Sequence, residues 1–500
     1  MGETFIMENV VAGLGLLFSV EVMLVMLAAG IFGLFMGALP GLTATMAVAL
    51  LVPVTFYMDP VPAIAAMVTA AAMAMFAGDI PAVLLRMPGT PASAAYTDDA
   101  HSLTKKGQTH VAMGLCLLAS VIGGLFGALI LATLAPPLAM IALRFSSYEY
   151  FWLCLLGLTT TAFMISSSRV KGILSLSLGL FTATIGIDPM SGVPRFTFGN
   201  HNLIGGLSLV PIMIGLFAIA EVFRYYARKE PTVRLEQKAV KGVFEGQARL
   251  LWKERRAVAQ GNILGTLLGI LPGAGADIAA WISYSLAKRF SREPEKFGKG
   301  STEGLAAAGA ANNAAVSGGF IPSLVFGIPG DAIAAIIIGV LFMKGVNPGP
   351  TIFLNNPAIV YAIFGAFFLA NLLLVPLGWV AIRLSRVMLM VRLSILMPII
   401  FIFCLVGAFA MENTVSAVGV ALAFGVIGFG FEAFRIPLAP FVLGVVLGPL
   451  LEQNFLSSMM KSGGNWLTFV DRPIAGGLAL LTLLIWASPL IKAGLSRVRH

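Results

Sequence analysis

The sequence predicts an all-α polytopic membrane protein, with two inverted structural repeats, broken or re-entrant helices and about 11–13 transmembrane segments. Three observations predict it. Hydrophobic residues make up 58% of the 500 and charged residues only 11%, under half the roughly 25% of a soluble domain; the mean hydropathy is +0.93. The runs from Glu21 to Asp59, Lys106 to Arg144 and Lys344 to Arg383 hold no Asp, Glu, Lys or Arg between their ends, and about 20 helical residues cross a bilayer. Finally, short motifs recur in the same order in the two halves of the chain.

The N-terminal stretch MGETFIMENV has two acids and no Lys or Arg. It lacks the basic start of a cleaved signal peptide and belongs outside under the positive-inside rule. Residues 1–222 form the expected first repeat. Residues 223–257 form a connector: Arg224 to Arg256 holds ten Lys or Arg against four Glu, too polar for lipid and placed in the cytoplasm. Residues 258–455 form the second repeat. Residues 456–500 supply a periplasmic loop, an extra helix and a basic cytoplasmic tail with Lys492, Arg497 and Arg499. An odd number of crossings in each half makes the repeats inverted in the membrane. Cytoplasmic loops explain the net charge of +9, so no nucleic-acid partner is expected. Cys116, Cys154 and Cys404 show no pairing or metal-ligand pattern.

The repeat rests on five pairs. Gly37–Gly41 (GALPG) recurs as Gly269–Gly273 (GILPG), and Met87–Thr90 (MPGT) as Ile328–Asp331 (IPGD). Lys106-Gly107 matches Lys344-Gly345, Cys154–Gly157 matches Cys404–Gly407, and Pro211 with Gly215 matches Pro440 with Gly444. Proline removes a helix donor and glycine admits non-helical angles, so Pro40-Gly41 and Pro272-Gly273 should break their helices. Broken backbone at bilayer depth persists only where protein buries it or water lines it. Matched breaks point to a transporter binding site; one break alone would read as a structural kink. Pro88, Gly89, Thr90 and Ser93, and in the second half Pro329, Gly330 and Asp331, can start half-helices whose N–H groups receive an anion. Asn312 and Asn313, amid alanines, serve either ligand coordination or helix–helix hydrogen bonding. Asp79, Arg86, Asp98, Asp99 and Asp277 are ionisable groups in apolar surroundings. Arg86 has two expected partners, Asp79 or a substrate carboxylate; exposure to solvent or lipid headgroups is the remaining reading.

The segments GALPGLTATMAVALLVPVTFYMDP, MPGTPASAAYTDDAHSLTKKG, GILPGAGADIAAWISYSLAKRFSREPEKFGKGSTEGLAAAGAANNAA and FIPSLVFGIPGDAIAAIIIGVLFMKGVNPGP together resemble the large, TctA-like membrane subunit of the tripartite tricarboxylate transporters. The resemblance spans nearly the whole chain. It implies a multi-pass permease of the bacterial inner membrane that imports a carboxylate such as a tricarboxylate. Its partners would be a small membrane subunit of about four helices, a periplasmic solute-binding protein and membrane lipid. Transport would be secondary, with no cofactor beyond a coupling cation, Na+ or H+, for which Asp79, Asp99, Asp277 and Asn312 are the candidates. The chain departs from the family pattern at Asp79, Arg86, Tyr96, Ala100, Gly309 and Asp331, around the expected site. An anion channel and an intramembrane enzyme are the alternatives. The absence of HExxH, G-x-S-x-G and a P-loop disfavours the enzyme.

Overall fold

A computed structural model describes residues 3–164, 168–188, 190–227, 240 and 242–498, with side chains for all of these except 3–6, 164 and 488–498. Part of the basic connector (228–239 and 241), Arg499 and the side chains of Lys492 and Arg497 therefore lie outside what is described. Helices dominate, and the strands among the described residues are Gly186–Ile187 and Pro194–Arg195, paired antiparallel with Gly186 opposite Arg195. Eight helices among the described residues are long and apolar enough to cross a membrane, and four shorter apolar helices accompany them.

The chain forms two compact units, Met1–Ala139 with Val210–Gly430, and Met140–Leu209 with Phe431–His500. Each unit thus draws on both halves of the sequence. In the first, Gly215 lies against the carbonyl of Ala421; in the second, Gly444 lies against the carbonyl of Leu176. The paired Pro-x-x-x-Gly motifs therefore do the same packing job, each on a helix from the other half. The second unit is further tied by Arg195, whose guanidinium grips Glu452 at 2.6 and 3.0 Å, and by Arg472 against the buried Glu149 at 2.8 Å.

The first unit holds every expected site residue. Its frame is two helix pairs. Val20–Ala38 lies on Pro60–Ala77, with Gly33 and Gly37 pressed onto the carbonyls of Ala70 and Ala74. Arg255–Ile270 lies on Thr302–Phe326, with Gly261, Gly265 and Gly269 pressed onto the carbonyls of Ala307, Ala311 and Ala315. Glycine every fourth residue lines one helix face, and small residues there let membrane helices approach closely enough for backbone dispersion contacts. Pro60–Ala77 is apolar all round and buried throughout apart from Pro60, as expected of a helix surrounded by protein.

A methyl group at Gly33 or Gly37 would overlap backbone, which cannot rotate away. Gly33→Ala and Gly37→Ala should each lower stability by about 1–3 kcal/mol, read as a lower melting temperature of the purified protein. Gly15, exposed and with no atom near a added Cβ, is the control: Gly15→Ala should leave the melting temperature unchanged or slightly raised.

Candidate functional site

Both expected breaks are present and share one construction. Val20–Ala38 ends at Leu39 in an extended conformation (φ −84°, ψ 121°), and Gly41 follows with φ 90°. Arg255–Ile270 ends at Leu271 (φ −79°, ψ 118°), and Gly273 follows with φ 84°. Thr43 then caps the next helix, Ala44–Thr55, by accepting from the Met46 N–H at 3.2 Å. In the second half Gly275–Phe290 starts without a side-chain cap.

The second pair of breaks matches residue by residue. Asp79–Leu85 ends at Arg86, left-handed at φ 58°, and the Met87 N–H donates to the Pro81 carbonyl at 3.3 Å. Thr302–Phe326 ends at Gly327, φ 71°, and the Ile328 N–H donates to the Pro322 carbonyl at 3.2 Å. In both stops the closing bond reaches back six residues, one more than in a Schellman motif, across a residue in the left-handed conformation. Gly89 then packs on Gly78 and the Gly37 carbonyl, and Gly330 packs on Gly319 and the Gly269 carbonyl. Residues 78–90 (GDIPAVLLRMPGT) and 319–331 (GFIPSLVFGIPGD) align without a gap. Only the Pro-Gly core of this correspondence stands out in the sequence, because the residues before it share little beyond Gly, Ile and Pro.

The loops after these stops are capped differently. Thr90 and Ser93 satisfy each other: Thr90 N–H donates to Ser93 Oγ at 3.1 Å, Ser93 N–H to Thr90 Oγ1 at 3.2 Å, and Ser93 Oγ–H to the Thr90 carbonyl at 2.9 Å. Their buried hydroxyls hold the loop in shape. Asp331, at the position matching Thr90, accepts from the Ala334 N–H at 2.8 Å and caps Ala332–Met343.

The two halves meet here. Trp281 Nε1–H donates to the Pro91 carbonyl at 3.2 Å. Asp277 lies against the Ala92 backbone N–H and beside Asp331, and Asp331 sits over Gly275. The Pro88–Ser93 loop, the Pro272–Asp277 turn and the Pro329–Asp331 turn therefore converge. Gly273 N–H donates to the Gly330 carbonyl at 2.7 Å and fixes the last two together. Pro40-Gly41 is held from another side by Arg224, whose Nη2 donates to the Gly41 carbonyl at 3.3 Å while it pairs with Glu221. The sequence analysis counted Arg224 only as part of the connector's charge.

The remaining candidates separate. Arg86 does not pair with Asp79. The left-handed turn carries its side chain to Asp98, at 2.9 Å from Nε and 2.8 Å from Nη2, and both side chains are 60% exposed. An ion pair so exposed contributes about 0–1 kcal/mol. Asp79 is fully buried and accepts from Tyr96 Oη–H at 2.6 Å. Asp99 is a clamp at the start of Thr302–Phe326: it accepts from the N–H groups of Gly300 and Ser301 at 2.7 and 2.8 Å and from Tyr284 Oη–H at 2.6 Å. Asn312 and Asn313 are buried within that helix, and their amide oxygens and nitrogens have no hydrogen-bond partner.

Apolar spans enclosing paired discontinuous helices, joined at matched Pro-Gly turns, define a multi-pass membrane transport protein. The chain belongs to the Tripartite tricarboxylate transporter TctA family, whose description matches residues 23–443. It is 35% identical over 460 residues, 91% of this chain and 90% of the relative, to an Agrobacterium vitis protein described as an uncharacterized 52.8 kDa protein in the TAR-I ttuC′ 3′ region. A second Agrobacterium vitis protein, described as uncharacterized in the TAR-II ttuC′ 3′ region, is 38% identical over 232 residues, 46% of this chain and 96% of the relative. No solved structure matches the chain. The TctA family is a transporter family, not an enzyme family.

Arg86 occupies the left-handed position that its counterpart fills with Gly327, and a non-glycine residue there carries about 1–3 kcal/mol of strain. Arg86→Gly should raise stability by about 1 kcal/mol, since the exposed ion pair it removes contributes less. Arg86→Val, β-branched in the same conformation, should lower it. Unfolding of the purified variants checks the sign.

Proposed function

We propose that this chain is the large permease subunit of a secondary, ion-gradient-driven tripartite transporter of the bacterial inner membrane, importing a carboxylate anion. It would work with a small four-helix membrane subunit and a periplasmic binding protein that delivers the substrate. The observation that carries this reading is the convergence of the matched breaks: loops from both halves meet at one place, where Trp281 and Asp277 reach the Pro91–Ala92 backbone. Such discontinuous helices present helix starts and unwound backbone to a ligand at the repeat interface.

Charge divides the two sides of that meeting point. Asp277, in the first turn of Gly275–Phe290, faces the Ala92 N–H, and Asp331 caps Ala332–Met343; their charge opposes a second anion there. The first-half turn at Pro40–Thr43 and the loop at Pro88–Ser93 carry no acid. A substrate carboxylate therefore belongs on the first-half side, where the Ala44–Thr55 helix start adds a partial positive charge. The proposed inverted topology places residue 240 in the cytoplasm and residue 463 outside.

Two experiments test this. In proteoliposomes holding the complex, citrate and smaller carboxylates should enter saturably and only with an ion gradient. Ohmic flux would mean a channel, and product formation without uptake an enzyme. Asn312→Ala and Asn313→Ala should reach the membrane in normal yield yet slow uptake at least about tenfold, about 1.4 kcal/mol; normal uptake would place the site elsewhere. For topology, the native cysteines are buried, so a cysteine introduced at Gly463 should react with an impermeant reagent on intact cells and one at Val240 should not. Labelling at 240 would reject the inverted arrangement.

A further inference from the structure

Beneath the Pro88–Ser93 loop lies a polar cluster that the capping bonds above leave unexplained. Asp79 is fully buried; one carboxyl oxygen accepts from Tyr96 and the other has no hydrogen-bond partner. Tyr96 is itself buried, the Cys116 thiol lies beside the carboxyl, and Asn312 stands beside the Tyr96 hydroxyl. Among the described residues no ion pair includes Asp79. An unpaired carboxylate in an apolar interior is so costly that the group neutralises instead.

We propose that Asp79 is the site at which this transporter binds its coupling cation, and that the cation is a proton taken up on the free carboxyl oxygen. The inference rests on the transport reading above and deepens it. The available atoms choose between the two cations. A hard metal cation gathers about six oxygen ligands. Here one free carboxyl oxygen, a phenol and an amide are at hand, and the remaining neighbour is a thiol, a soft ligand ill-matched to Na+. A proton needs only the one lone pair that is free. The titratable groups facing Asp79 are Tyr96, ahead of the Thr97–Lys105 helix, and Cys116 on Thr109–Ala142. Pro60–Ala77 carries none, Val20–Ala38 has only Glu21 in its first turn, and Pro357–Leu389 has Tyr361, Arg383 and Arg386, none of them bonded to it.

Position links the proton to the substrate site. Gly78, the residue before Asp79, accepts from the Gly89 N–H at 3.1 Å and leaves no room for a methyl group against Thr90. A shift at Asp79 on losing its proton therefore moves the Pro88–Thr90 turn. Asn312 brings the second half's long helix to the same cluster.

The proton can be read without knowing the substrate. Infrared difference spectra of the full chain in lipid, titrated with acid and base alone, should show a protonated-carboxyl C=O band that is lost as pH rises. Asp79→Asn should remove one component of this band, the rest coming from the other carboxyls, and NaCl added at fixed pH should leave that component unchanged. Tyr96→Phe, which keeps the carboxyl but removes its hydrogen bond, should retain the band at a shifted frequency and guards against misfolding of the first variant. A titrating band with no component lost in Asp79→Asn, or with that component erased by NaCl, would overturn the proposal. Failure of citrate uptake would count against the transport reading and leave this band untouched, so the two fail separately.

Discussion

The first unit depends on one contact repeated several times: a glycine Cα pressed against the carbonyl of a neighbouring helix. Gly33 and Gly37 meet Ala70 and Ala74, while Gly265 and Gly269 meet Ala311 and Ala315 at the corresponding places. Lipid offers no hydrophobic drive for helices to associate, so close backbone approach supplies the attraction. The same closeness makes the breaks tolerable. Unwound backbone cannot face hydrocarbon, and at Leu39–Gly41 and Leu271–Gly273 the neighbouring turns arrive near enough to cover it. Gly89 and Gly330 complete the cover from the opposite loops, each against the glycine that ends its helix pair's contact face.

On this frame the polar groups sort by what they can reach. Asp99 and Asp331 satisfy helix starts, and Thr90 and Ser93 satisfy their own loop. Arg86 and Asp98 find each other in the open. Of the candidate site residues, those left with unpartnered atoms are buried: one oxygen of Asp79 and the amides of Asn312 and Asn313. Buried polar groups are nearly always bonded, and the proposed site draws on these three for that reason.

Much of this was legible in the sequence. Composition and charge-free runs gave the helical membrane class, and GALPG against GILPG located the first breaks, because proline and glycine act locally wherever they stand. The partner of Arg86 was not legible. Its choice was set by a left-handed turn at 86 that swings the side chain away from Asp79, and nothing in an apolar run with an arginine signals that conformation. Nor was Tyr96 recognised as the donor to Asp79, seventeen positions away across the Pro-Gly loop. The composition of the units was hidden for a related reason. Gly215 and Gly444 each pack on a helix from the other half, a long-range choice that periodicity does not encode.

The central claim is that the two breaks are equivalent elements of one site. A cryo-electron-microscopy map of the full chain in a lipid nanodisc, at side-chain resolution, tests it most directly. The account predicts that residues 33–41 with 70–90 superimpose on residues 265–273 with 311–331. The operation relating them should be a rotation of about half a turn around an axis in the membrane plane, with Pro91–Ala92 against Asp277 and Trp281. An uninterrupted helix through either Pro-Gly turn, or halves related by an axis along the membrane normal, would contradict it.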